Sequence, residues 1–549
     1  LCQTEAELTQ RFETVRRLAT GSFGDARVYL ERYVASARHI EVQIFGDGKG
    51  GVVALGERDC SLQRRHQKVV EETPAPHLSR KTRQTLRQAA IALGRAVSYA
   101  SAGTVEFVYD VERDEVYFLE VNTRLQVEHP VTEEVYGIDL IEWMIRQAAG
   151  DFTLPAEASL VARGHAIEAR IYAEDPARDF RPSAGRLTEV RFSEIARIDG
   201  WVETGSEVTP FYDPLLAKLI VAAPTRALAI EKLLEALGAC ALSGIETNLA
   251  YLQAISRDPS FRAGRMTTAS LKTLPYRPRS IEVIEAGAQS SLQDWPGRLG
   301  LWHVGVPPSG PMDDRSHRLV NRVLGNPEGA PTLECTLLGP RLRFHCETVI
   351  ALGGAGMSAT LDGASLPFWE PISVRAGQVL ALGRISGPGQ RLYLGVRHGF
   401  AAPQILGSRA TFALGGFGGH GAGILKPGDT LHINESGAGD AIPGRLPPEE
   451  LPVLTDAWEI GVRYGPHGAP DFFLEEDIAT LFAAQYEVHF NSARTGVRLI
   501  GPRPRWARAD GGEAGLHPSN IHDNAYAVGS LDFTGDMPII LGPDGPSLG

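Results

Sequence analysis

The sequence predicts a multidomain α+β protein whose first half mixes helices with strands and whose second half is rich in β-structure. Three observations lead there. The 549 residues exceed what one hydrophobic core encloses, since cores stop growing at roughly 250–300 residues. Up to about residue 270, strand-like runs (HIEVQIFG, TVEFVYD, VYFLEVN) alternate with amphipathic helical stretches (KTRQTLRQAAIALGRAVSYA, RALAIEKLLEALGACAL). Beyond it, short β-rich runs broken by Gly and Pro (HVGVPPSGP, VIALGGAG, LYLGVRHGF) take over, with few helices. Between the two textures lies LKTLPYRPRS, residues 271–280, with prolines, cations and no apolar periodicity. The expected division is a first domain over 1–275, a linker over 276–280 and a second domain over 281–549.

Composition narrows the function classes. A net charge of −12, its acidic excess concentrated after residue 280, argues against nucleic acid and against acidic membrane surfaces. Cys2, Cys60, Cys240, Cys335 and Cys346 form no CxxC pair, so neither a disulfide framework nor a zinc site is expected and a reducing cytoplasm is the natural compartment. No run of about 18 apolar residues could span a bilayer, and the polar start LCQTEAELTQRF has no signal-peptide core. Leu1 in place of Met, and a closing GPDGPSLG turn, suggest cuts in a longer polypeptide.

The stretch GTVEFVYDVERDEVYFLEVN reads as a hairpin. If its turn centres on Arg113, Glu106 and Glu120 face each other on one side of a sheet, with Asn122 two residues further along that side. Directly opposed like charges are destabilising, so the pair asks for a cation, and oxygen donors favour Mg²⁺ or Mn²⁺. A solvated acidic hairpin with basic neighbours is the alternative. In the following NTRLQVEHP, Arg124, Gln126 and Glu128 continue the alternation, a costly arrangement unless these groups converge on a ligand. Upstream, ERDCSLQRRHQKVVEE packs Arg58, Gln63, Arg64, Arg65, His66 and Lys68 together, which suits an anion such as phosphate or, equally, a solvated face.

These motifs, with RHIEVQ, HAIEARIYAEDP and PFYDPLLAKLI, resemble the biotin carboxylase domain of biotin-dependent carboxylases over roughly residues 1–275. The resemblance implies the carboxy-terminal part of an ATP-grasp fold, in which ATP and bicarbonate give carboxyphosphate and biotin captures the CO₂. It implies Glu106 and Glu120 as metal ligands with Asn122 beside them, and His39, Gln63, His66, Asn122 and Gln126 around the nucleotide and anion. Lys68 joins them as a catalytic cation. Glu128 becomes the base for bicarbonate, Arg124 its anchor, and Arg170 the group that stabilises the biotin enolate. The family's amino-terminal subdomain, glycine-rich lid and ATP-binding lysines would precede Leu1, and GSFGDARV is too short and misplaced to be that lid. None of the five methionines is followed by Lys, so the biotin carrier is expected outside this chain, as a partner.

In the second half, SIEVIEAGAQSSLQDWPGRLGLWHVGVPPSGPMDD and LGPDGPSLG resemble the allophanate hydrolase subunit 2 family, which includes the first half of a carboxyltransferase domain. The implied fold is a β-rich, cyclophilin-like barrel arrangement that normally works with a second carboxyltransferase barrel. Carboxyl transfer to a urea-type nitrogen needs a planar amide held by hydrogen bonds and one N–H proton removed. The candidates in Gly/Pro-rich turns are Ser309, Asp313, Arg494, Arg498, Ser519, Asn520, Asp523, Asp536 and Asp544; turn capping is the alternative for each. His517 and His522 flank Ser519, but no GxSxG elbow surrounds it.

A biotin carboxylase segment followed by a subunit 2-like segment is the order of the urea carboxylase family. The implied activity is that of a ligase of nitrogen metabolism: ATP, bicarbonate and urea giving allophanate, with Mg²⁺ or Mn²⁺ and biotin. Guanidine carboxylase shares the order, and a non-catalytic partner-binding role for the second domain is a further alternative. The resemblance also admits homo-oligomers. Taken alone, the chain is expected not to complete the full reaction.

Overall fold

The structure is a computed structural model, and it describes residues 2, 4–421, 423–435, 442–508, 513–522 and 526–545. Helix α1 (Glu5–Phe23) opens the chain, started by Thr4, whose side chain accepts from Glu7 N, and stopped by Gly24 in the left-handed conformation. None of its side chains is buried.

The first half is built on one antiparallel sheet of eight strands. In chain order these are β1 (Ala37–Asp47), β2 (Val52–Arg64), β3 (Gln67–Thr73), β4 (Ala100–Asp110), β5 (Glu115–Asn122), β6 (His165–Tyr172), β7 (Arg197–Gly200) and β8 (Leu215–Ala223). Across the sheet they lie in the order β7, β8, β6, β3, β2, β1, β4, β5. Alternation sorts β1 into two faces: Ile40, Val42 and Ile44 pack with Leu86 and Ala90 of helix α2 (Arg80–Ala96), while His39, Glu41 and Gln43 occupy the other side. Helix α2 earns its contact through a four-residue stripe of Thr82, Leu86, Ala90 and Gly94, and a methyl added at Gly94 would press on Val52. Helix α3 (His129–Tyr136) starts directly after Glu128, and helix α4 (Arg226–Ala239) buries Ile230, Leu233 and Leu237 beneath β8.

After a short helical turn at Ser270–Thr273 the chain runs without regular structure until β9 (Ser280–Glu285). Strand β9 sits inside a seven-stranded sheet, between Arg341–Phe344 and Thr430–Ile433. A five-stranded sheet, containing β10 (Gln289–Gln293), β11 (Thr332–Thr336), β12 (Thr348–Gly354) and β13 (Arg391–Val396), shares its core: Ile281, Val283, Phe344, Leu333, Leu352 and Leu394 form one cluster. Helix α5 (Asp314–Leu324) covers the outer side of this sheet with Val320, Val323 and Leu324 against Ala351 and Tyr393. A four-stranded sheet around β14 (Gly496–Ile500) and β15 (Met537–Leu541) follows. The second half is β-rich as expected, but HVGVPPSGP is not a strand: Trp302–Val304 form a single 3₁₀ turn, and Pro307 and Pro308 have no N–H for a ladder.

The halves touch through named contacts. Arg178, held by Asp175 at 2.7 Å, reaches the Gly428 carbonyl and Thr430 Oγ1, and His432 Nε2 lies 2.9 Å from Glu246 Oε2.

Candidate active site

Strand register creates the site. Arg58 of β2 pairs with Glu41 of β1, Glu41 with Glu106 of β4, and Glu106 with Glu120 of β5, so four charged residues cross the sheet in a row. The facing of Glu106 and Glu120 is as the hairpin predicts, by a different route. Near the turn Asp110 pairs with Glu115 and Phe107 with Phe118, so the turn is not centred on Arg113, and a one-residue bulge at Leu119 restores the Glu106 register. The opposed carboxylates are compensated within the protein. Asn122 Nδ2 donates to Glu106 at 2.9 Å and to Glu120 at 3.1 Å, Gln126 Nε2 donates to Glu106 at 2.6 Å, and His39 Nε2 lies 2.8 Å from it. Burial raises the Glu106 carboxyl, but His39 and Lys68 outweigh it and pull it down to about 2. Glu120, at the sheet edge, is exposed.

Lys68 is the hub of the site. Its ammonium lies 2.7 Å from Glu41 and 3.5 Å from Glu106, and it contacts Glu128 directly. Burial alone would lower the Lys68 amine; the surrounding carboxylates hold it well above its ordinary value, so it stays a cation. Glu128 is buried, placed by the start of α3, and bridged on its other oxygen by Arg170 Nη2 at 2.8 Å. Gln63 Nε2 meets His39 Nδ1 at 2.6 Å. His66 is exposed in the β2–β3 turn, and Arg124 is exposed with its guanidinium on the Leu125 carbonyl at 3.4 Å. The structure therefore gathers Lys68, Glu128, Arg170, Glu106, Asn122, Gln126, His39 and Gln63, with His66 and Arg124 at the solvent side.

The basic run splits up. Arg58 is fully buried and holds Glu41, Gln43, Thr104, Gln126 and Thr132 together, so it braces the sheet with its guanidinium committed to the Glu41 carboxylate. Arg64 pairs with Glu174 at 2.5 Å and Arg65 with Asp179. Glu41, absent from the sequence candidates, is pulled well below the carboxylate range: burial opposes this, but Arg58 and Lys68 prevail.

Two clusters form in the second half. Buried Arg494 binds Asp544 at 2.7 Å, Glu334 at 2.8 Å and the Gly310 carbonyl at 2.7 Å; Glu334 also accepts from Tyr393 OH and Met312 N. Ser309, with its N–H on the Pro543 carbonyl, lines a cleft of about 560 Å³ with Trp295, Trp302 and Val528. Among the described residues its buried hydroxyl has no hydrogen-bond partner. Asp313 caps α5 through Ser316 N. Elsewhere, Ser519 Oγ lies 2.9 Å from His517 Nδ1, whose Nε2 is 3.4 Å from Asp536, itself bonded to Trp506 Nε1. Asn520 donates to Gly515 O and Arg498 to Asn491 O, both local turn contacts. Asp523 lies outside the described residues.

Comparison with known proteins assigns these segments. Residues 1–156 match the carbamoyl-phosphate synthase L chain ATP-binding domain, 168–273 the biotin carboxylase C-terminal domain, and 304–549 the carboxyltransferase domain, subdomains A and B. An ATP-grasp biotin carboxylase portion is thus followed by a carboxyltransferase portion. Over its whole length it is 50% identical to urea amidolyase of Saccharomyces cerevisiae, of which it covers 30%, and 44% identical to a putative urea carboxylase of Emericella nidulans, of which it covers 45%. The crystal structure of Kluyveromyces lactis urea carboxylase superposes over the full chain with a TM-score of 0.90 at 49% identity, and the chain covers 48% of it. The chain thus spans between about a third and a half of the length of these relatives. Among the described residues no helix is long and apolar enough to cross a membrane.

What sequence reasoning missed are Glu41, Glu71, Glu168 and Glu334. Each is an acidic residue in an otherwise apolar strand (HIEVQ, KVVEE, HAIEAR, TLECT), and an acid at a strand position that cannot reach water was the available signal.

Proposed function

We propose that this chain carries the bicarbonate-activating centre and part of the carboxyl-accepting centre of a urea carboxylase, converting ATP, bicarbonate and urea to ADP, phosphate and allophanate. The observation that carries the reading is Glu128, buried and clamped between Lys68 and Arg170. Lying between the two cations, Glu128 takes the bicarbonate proton onto one of its oxygens. Lys68 and Arg170 meet the negative charge left on the bicarbonate oxygens as they attack the terminal phosphorus and ADP departs. Arg124 swings from the rim to anchor bicarbonate, and His39, Gln63 and His66 border the nucleotide side. The carboxylates of Glu106 and Glu120, with Asn122 beside them, fit a hard divalent cation, Mg²⁺ or Mn²⁺, which would neutralise phosphate charge there. A carrier-borne biotin would supply the nitrogen that accepts CO₂, and Arg170 would be the cation that meets negative charge on its ureido group.

In the second half, the cleft bordered by Ser309 is the place for the acceptor, completed by a second carboxyltransferase barrel. Arg494 and Asp544 brace it through the Gly310 carbonyl next to Ser309, Asp313 caps α5, and Arg498 on β14 with Ser519, Asn520 and Asp536 of the second cluster are the further candidates. Neutral urea suits this cleft better than a guanidinium ion, because Glu334 and Asp544 are already balanced by Arg494 and Arg391. We place the domain junction at residues 276–280, in the irregular stretch ahead of β9, and the protein in the cytoplasm, a reading supported by five free cysteines. The test is ADP release by the full-length biotinylated enzyme with bicarbonate. A kcat/KM for urea at least tenfold above that for guanidine, about 1.4 kcal/mol in transition-state binding, is expected, and the reverse preference overturns the assignment of the acceptor.

A further inference from the structure

Behind Arg170 lies a pair of acids with no role in the mechanism above. Glu71 of β3 and Glu168 of β6 are directly paired across the strands, and both are fully buried. Among the described residues neither oxygen of Glu168 has a hydrogen-bond partner, and Glu71 lies 2.5 Å from Arg170 Nη2. That same Nη2 is 2.8 Å from Glu128, and Arg170 Nε is 3.9 Å from Glu168. Three carboxyl groups therefore share one guanidinium.

The neighbouring elements do not make up the deficit. Lys68 on β3 is engaged by Glu41, Glu106 and Glu128; Lys218 on β8 is turned to the Val127 carbonyl and Asp199; Cys60 on β2 is a buried thiol, and the Tyr172 hydroxyl donates to the Lys68 carbonyl. An anion pair held at strand distance in a dry layer is too costly to persist, and it resolves by keeping a proton.

We propose that Glu71 and Glu168 are positioning residues: a carboxyl pair that shares a proton and thereby leaves Arg170 committed to Glu128. The inference rests on Glu128 being the base. While the proton is present, Glu128 is the full anion facing Nη2 and Arg170 clamps it. When the proton leaves, Glu71 becomes a second full anion at 2.5 Å and draws the guanidinium away. The directions agree: burial raises the Glu71 carboxyl to about 7, with Glu128 adding to the rise against Arg170, and burial raises Glu168 well above the usual range, with Glu71 adding to it. Turnover then falls on the alkaline side because Arg170 is captured by Glu71.

Two variants separate this from simple packing. Glu71→Gln removes the competing anion, so the alkaline limb of bicarbonate-dependent ADP release by the full-length biotinylated enzyme moves up by about one pH unit or more. Glu168→Gln removes the neighbour that keeps Glu71 protonated, so the limb moves down by a similar amount. A packing role lowers kcat in both variants and leaves the limb in place, and that result overturns the coupling. The pair itself is read on the 549-residue chain by infrared spectroscopy. A carboxylic-acid C=O band at pH 7, lost in the Glu71→Gln/Glu168→Gln double variant, is expected. Absence of that band from the unaltered protein overturns the shared proton whatever Glu128 does, whereas full activity in Glu128→Gln would overturn the base assignment alone.

Discussion

Replacing Arg494 by Met strips the second half of its central buried cation while keeping side-chain length. Arg494 is 4% exposed, and its partners Glu334 and Asp544 are 1% and 6% exposed, so water does not replace the lost charge. Removing one member of a buried ion cluster costs about 3–5 kcal/mol, because the remaining charges stay behind unpaired. Here the lower end applies, since Glu334 keeps Arg391 at 3.4 Å and its bonds from Tyr393 OH and Met312 N. For a unit of this size, 3 kcal/mol corresponds to a melting shift of roughly 6–12 °C. The assay is calorimetric unfolding of the 549-residue chain, in which the transition of the second half moves and that of the first half does not. Adding Glu334→Gln to Arg494→Met should recover part of the loss, since one orphaned anion disappears. A shift in the single variant of under about 2 °C would refute the claim that this triad is a buried, mutually dependent cluster.

Other expectations follow from single residues. Burial lowers the His317 imidazole to about 4 from 6.5, with its Nδ1 on Thr332 Oγ1; a depressed base favours folding above pH 6.5 and withdraws that support as pH falls towards 4. The second half should lose about 3 kcal/mol over that interval, and His317→Asn should flatten the loss when unfolding midpoints are measured against pH. Gly418 has φ +78°, and a methyl there would meet the Ala410 carbonyl and the Arg298 guanidinium, so Gly418→Ala should destabilise by about 2 kcal/mol or more in denaturant titrations. Glu106→Gln should weaken Mn²⁺ binding about tenfold or more by electron paramagnetic resonance, and unchanged affinity would move the metal site off this hairpin.

The hairpin was legible in sequence because its determinants are local: two β-rich runs, a polar turn and period-two alternation place Glu106 opposite Glu120. The bulge at Leu119 was not legible, since no residue type announces which strand carries the extra position. Arg58 was misplaced for a related reason. It sits in a basic run with Arg64, Arg65 and Lys68, yet alternation along β2 and its pairing with Glu41 turn it into the sheet, while Arg64 and Arg65 pair with Glu174 and Asp179 and Lys68 faces Glu128. The clamp on Glu128 depends on β3, β6 and the start of α3 converging from residues 68, 170 and 128, a relation carried by strand order. In the second half, Arg494, Asp544 and Ser309 were found as polar residues in turns, but Glu334 and Tyr393, contributed by β11 and β13, are fixed by contacts of long sequence separation.

The central claim is that Glu128, held by Lys68 and Arg170, is the group that deprotonates bicarbonate. Its most direct test is bicarbonate-dependent ADP release by the full-length biotinylated enzyme carrying Glu128→Gln, which keeps the shape of the site and removes the base. The account predicts a fall in kcat of about 10²–10⁴ with the KM for ATP little changed, whereas a rate within about threefold of the unaltered enzyme would contradict it.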